Sequence, residues 1–148
     1  MNTHLLLIFI IISGVMTADQ IGPNKKSIII KKEQETVILS CSYDTSSSYI
    51  WLYWYRQYPN RELQYLLYKG ARSYSSHENM PDSRFRSTTS ESSTELIIKS
   101  VSLSDSALYY CALRVEPSDT KSLKVFTKTQ THKYCFEQHN QMNIKPQK

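Results

Sequence analysis

The chain has 148 residues, 18 Lys and Arg against 13 Asp and Glu, and a formal net charge of +5. That length suits one domain with extra residues at each end, and 21% charged with 40% apolar residues excludes wholesale disorder and fibrous repeats. The three glycines, Gly14, Gly22 and Gly70, are too scattered for a phosphate-cradling loop, while eleven Tyr and two Trp suit strands and contact surfaces.

The N-terminus comes first. Residues 5–12 form an apolar run, followed by small residues up to Ala18. Eight residues of helix rise about 12 Å, far less than a hydrocarbon core about 30 Å thick. Residues 1–18 therefore read as a secretory signal peptide cut after Ala18, although Met1-Asn2-Thr3-His4 lacks the usual Lys or Arg. A buried N-terminal strand is the alternative. No second long apolar stretch follows, so no membrane span is expected within this chain. Export would place it in the secretory pathway, either released or joined to something anchored elsewhere.

An oxidising compartment makes the three cysteines informative. Three thiols allow three single pairings and leave one over. Cys41 and Cys111 lie 70 positions apart, each ending a strand-like run; Cys111–Cys135 is the rival pairing. Closing the larger loop stabilises a fold by about 4 kcal/mol in the chain-entropy account.

Residues 19–114 consist of short alternating segments divided by Ser, Asn, Asp, Gly and Pro, the spacing of an all-β sandwich. Val37, Leu39 and Cys41 share one face of their run; Leu96 and Ile98 repeat the device in 93–100, and Ala107, Tyr109 and Cys111 in the next. Between the cysteines stands Trp51-Leu52-Tyr53-Trp54-Tyr55-Arg56-Gln57, with Leu52 and Trp54 on one face and Tyr53, Tyr55 and Gln57 on the other. Trp54 follows Cys41 by 13 residues, a place from which an indole covers an inter-sheet disulfide. Tyr109 sits where a tyrosine corner would bond nearby backbone.

The ordered set of Cys41, Trp54-Tyr55-Arg56-Gln57, Arg84-Phe85 and Asp105-Ser106-Ala107-Leu108-Tyr109-Tyr110-Cys111-Ala112-Leu113 resembles an immunoglobulin variable domain over about residues 20–114. Trp54-Tyr55-Arg56-Gln57 and Cys111-Ala112-Leu113 are similar to a T-cell receptor variable domain of alpha or delta type. The resemblance implies a V-type two-sheet sandwich, a Cys41–Cys111 disulfide, and a salt bridge between Arg84 and Asp105. It also implies two surfaces. Loops at one end would contact a ligand: Ser46, Ser47, Ser48 and Tyr49 in the Ser-rich stretch 44–50, Lys69, Ala71 and Arg72 in 69–73, and Arg114 in the third, which begins at Ala112. Ser and Tyr are also the residues that adaptable binding loops use. By resemblance the first two loops would touch a major histocompatibility protein and the third its peptide. The outward row of Tyr55, Gln57, Leu63 and Tyr110 would pair with a second variable domain, of beta or gamma type, being too apolar to leave wet. Receptor chain at the cell surface is thus the first reading; an innate or adhesive receptor, or a secreted domain of the same fold, is the second.

Beyond Arg114 the family's Phe-Gly-x-Gly joining motif is missing, and residues 115–148 contain no glycine. Residues 122–130 alternate and could supply the last strand; residues 131–148 are polar and read as disordered. The missing motif suggests a variable segment read past its coding end without a joining segment. This tail carries +3 of the net charge and residues 19–114 only +2, well short of a nucleic-acid surface. His132-x-x-Cys135-x-x-x-His139 offers three ligands where structural zinc wants four, so no metal is expected. No cofactor is expected either. His77 has no nucleophile motif beside it, so no enzyme is read here.

Overall fold

The computed structural model describes residues 19–24, 28–116 and 133–146. The signal-peptide expectation for 1–18 and the strand expected at 122–130 fall outside these residues. Among the described residues ten strands follow in chain order: β1 (Gln20–Pro23), β2 (Ile28–Lys32), β3 (Val37–Asp44), β4 (Tyr49–Gln57), β5 (Gln64–Arg72), β6 (Glu78–Asn79), β7 (Phe85–Thr89), β8 (Ser93–Ile98), β9 (Ala107–Val115) and β10 (Lys133–Lys145). The only helical element among the described residues is a 3-10 turn at Leu103–Asp105. Four strands form one sheet in the order β1-β3-β8-β7; six form the other, β2-β10-β9-β4-β5-β6. Every described pairing is antiparallel except that of β10 with β2. None of the described helices is long and apolar enough to cross a membrane.

Period-two alternation determines what lies between the sheets. In β3, Val37, Leu39 and Cys41 are buried while Ile38 stays 54% exposed. Leu96 and Ile98 of β8 meet them from the neighbouring strand, and Trp54 and Tyr109 complete the layer; all four are fully buried. The Cys41–Cys111 disulfide joins the sheets across a Cα–Cα distance of 6.7 Å. Trp54 satisfies its indole by donating from Nε1 to Thr94 Oγ1 at 3.3 Å. Tyr109 donates its hydroxyl to the Asp105 carbonyl at 2.7 Å, a tyrosine corner that pins the 3-10 turn to β9.

One expectation is corrected. Lys133–Lys145 is a strand, not a disordered tail. It pairs with β9 along one edge and β2 along the other, and its Met142 is fully buried in the core. Composition hid this because residues 133–145 read as a largely polar stretch with no glycine. Phe136-Glu137-Gln138-His139 lies in that strand, with Glu137 and His139 where the expected motif has glycines. The register with β9 shifts between Gln138 and Gln141, so the strand accommodates its irregularity without glycine.

Candidate binding surfaces

At one end of the sandwich the 45–48 turn joins β3 to β4. Ser47 is buried: its amide donates to Thr45 Oγ1 at 3.2 Å, and its own Oγ accepts from the Tyr49 amide at 3.1 Å. These side-chain bonds shape the turn and leave Ser46 and Ser48 exposed. Tyr49 opens β4, its ring 5.3 Å from that of Tyr74.

The stretch 69–73, read as a loop, is mostly strand. β5 runs to Arg72, and the turn proper begins at Ser73. Gly70 makes this possible, because a Cβ there would lie 2.0 Å from the Tyr74 carbonyl oxygen. The turn can therefore fold back over β5, where the Gly70 amide donates to the His77 carbonyl at 2.8 Å. Ala71 is buried rather than presented. Lys69 Nζ contacts Glu78 Oε2 at 2.8 Å, which holds the Glu78 carboxyl below its usual range. Arg72 directs its guanidinium onto backbone carbonyls of the neighbouring turns.

An aromatic cluster here escaped the sequence reading. Trp51 packs against Tyr68, Tyr74 and His77 with ring centroids 5.3, 4.8 and 5.4 Å away. Beside it lies Glu116, whose carboxylate accepts from Trp51 Nε1 at 3.1 Å and from the Tyr74 hydroxyl at 2.8 Å. That bond to the carboxylate raises the Tyr74 phenol above its ordinary range. Arg114 reaches Glu116 at 3.7 Å and Tyr53 Oη at 3.3 Å. A signal existed: extending the outward alternation of Tyr53 and Tyr55 backwards reaches Trp51 and Tyr49.

The outward face of the six-stranded sheet is a second surface. Tyr53 and Tyr55 stack at 6.3 Å, and Tyr65 from β5 meets Tyr55 edge-on at 6.0 Å. Tyr110 donates its hydroxyl to Gln57 Oε1 at 2.9 Å, and Gln57 Nε2 donates to the Arg61 carbonyl at 3.1 Å. Tyr65 donates to Asn79 Oδ1 at 2.8 Å; partial burial among other phenols pushes its hydroxyl up to about 12. Leu63 lies exposed in the β4–β5 turn instead of on a strand. Tyr53, Tyr65 and Tyr68 enlarge the face beyond the four residues expected.

At the opposite end, Arg84 meets Asp105 in a bidentate pair at 3.0 and 3.4 Å. Asp105 Oδ2 also accepts from the Ser102 amide at 2.9 Å, and Arg56 approaches Oδ1 at 3.7 Å. The hydrogen bond to Asp105 holds the Arg84 guanidinium still more firmly protonated. Arg56, also unforeseen, lies over the Tyr58 ring at 4.8 Å. The described residues contain no group of three or more His, Cys, Asp or Glu side chains that could hold a metal; His132 and the side chains of Cys135 and His139 lie outside what is described.

A buried disulfide under an indole, a tyrosine corner and a loop-bearing end make a recognition scaffold. Comparison with known proteins agrees. The immunoglobulin V-set domain family matches residues 25–132. The T cell receptor alpha variable 18 of Homo sapiens is 41% identical over 113 residues, 74% of this chain and 91% of that protein. The Homo sapiens T cell receptor alpha variable 14/delta variable 4 is 38% identical over 85 residues, 56% of this chain and 71% of that one. The Oryctolagus cuniculus T-cell receptor alpha chain V region RL-5 is 38% identical over 97 residues, covering 64% and 69%. Such domains are receptor components, not enzymes. The chain belongs to the immunoglobulin V-set family and, within it, to the T-cell receptor variable domains of alpha/delta type.

Proposed function

We propose that this domain is the antigen-contacting part of a T-cell receptor chain, exported to the cell surface, where it binds peptide held by a major histocompatibility protein. It pairs through its tyrosine face with a second variable domain of beta or gamma type. The observation that carries the reading is the continuous outward face of Tyr53, Tyr55, Tyr65, Tyr110 and Gln57, closed at its centre by the Tyr110–Gln57 hydrogen bond. A monomer gains little by arranging so much aromatic surface toward water, whereas a partner face buries it. Gln57 presents an amide that a matching amide could meet in two hydrogen bonds. Ser46, Ser48, Tyr49 and Arg114 are then the contacts at the loop end, with Trp51 and Tyr74 as rigid support.

Co-expression with beta-type and gamma-type variable chains tests it. Stable heterodimer should form with one class and be lost in Tyr55→Asp or Gln57→Ala. Those variants should keep the melting transition of the isolated domain. Peptide-loaded histocompatibility multimers should then bind cells bearing the heterodimer. A domain that stays monomeric with both classes sinks the pairing; a heterodimer that never binds the multimers, or a homodimer that does not need the loops, favours the adhesive reading.

A further inference from the structure

Arg72 ends β5 with φ 55°, the left-handed region that side chains other than glycine enter at a cost. From there its Nη1 donates to the carbonyls of Thr45 at 2.8 Å and Ser47 at 2.6 Å. Nη2 and Nε donate to the Glu91 carbonyl at 2.7 and 3.2 Å, and Nε also lies 3.3 Å from Glu91 Oε2. Four of the five guanidinium N–H groups are thus committed to the chain itself. The guanidinium carbon lies 5.5 Å from the ring centre of Tyr43. Tyr43 in turn takes the Ser90 carbonyl with its hydroxyl and the Ser92 carbonyl with its amide. Ser47, held by Arg72 through its carbonyl, passes its Oγ to the Glu116 carbonyl at 3.1 Å.

We infer that Arg72 is a positioning residue of the loop end: it locks the 45–48 turn against the 90–92 turn and so presents Ser46 and Ser48. The planar fork holds four donors in fixed directions toward carbonyls of two separate segments, where a lysine ammonium offers three on a flexible stem with no fixed fork. The inference deepens the recognition reading and takes its functional consequence from it. No ligand enters the measurement below, so failure of the lock and failure of that reading are separate results.

Amide hydrogen exchange on the full chain, unaltered and as R72K, R72A and E91Q, decides it. In R72K and R72A, amides at 45–48 and 90–92 should exchange at least roughly tenfold faster, with β4, β8 and β9 within about twofold of the unaltered chain. E91Q removes only the ionic contact and should match the unaltered chain. R72K retains the cation over Tyr43, so it carries the test if R72A does not fold. Unchanged turn exchange in R72K, an increase spread evenly over the core strands, or an equal effect from E91Q would each overturn the assignment.

Discussion

Two carboxylates sit at opposite ends of this sandwich, and each gathers three side-chain groups. Asp105 collects Arg84, Arg56 and Ser102 with its side chain only 1% exposed. Glu116 collects Trp51, Tyr74 and Arg114 with its side chain 30% exposed. The chemistry is alike; the water is not. A buried carboxylate stripped of its partners must either find others or come out, so the Asp105 end behaves as part of the core. At the Glu116 end solvent can replace a lost donor, so contacts there can change while the scaffold stays folded.

Substitutions measure that contrast. Trp54→Ala removes the girder common to both ends and should cost about 3–5 kcal/mol in denaturant unfolding. Asp105→Ala strands two guanidiniums. Its cost should be about 2–3 kcal/mol, below the roughly 3–5 kcal/mol of a fully buried pair, because Arg84 keeps 40% of its side chain in water. Alkaline titration comes next. A tyrosine in the unfolded chain ionises near 10.0, while burial raises Tyr65 to about 12 and moves Tyr109 upward as well. Between those values the unfolded chain has released protons that the folded domain retains, so stability is complete below pH 10 and falls as pH rises toward 12. Near-UV absorbance of tyrosinate should lag behind a free tyrosine standard over that window, and a superimposable titration would refute the burial. Glu116→Gln should cost under about 1 kcal/mol while altering Trp51 fluorescence. A loss matching that of Asp105→Ala would erase the distinction between the two ends.

Much of the architecture was legible beforehand. The buried rows of β3, β8 and β9 follow from alternation, which is a local property of any pleated strand. Strand β10 was not, since residues 133–145 are mostly polar and their sequence shows no clear alternating apolar row. The loop end was legible only in outline. Ser46, Ser48 and Tyr49 stand near where the spacing put them, yet Lys69 and Ala71 belong to a strand, because Gly70 lets the following turn fold back over β5.

Sequence by itself determined the all-β class, the residues facing the core and the aromatic outward row; the family resemblance implied the Cys41–Cys111 closure under Trp54, and the structure made it. Tertiary structure alone decided that β10 fills the gap between β9 and β2, that Arg56 joins the Arg84–Asp105 pair, and that Glu116 anchors the rings around Trp51. It also decided that Arg72 spends its donors on carbonyls at 45, 47 and 91. Periodicity is written in side-chain type, one residue at a time. A backbone carbonyl is the same group at every position, so which one an arginine meets exists only once distant segments are brought together.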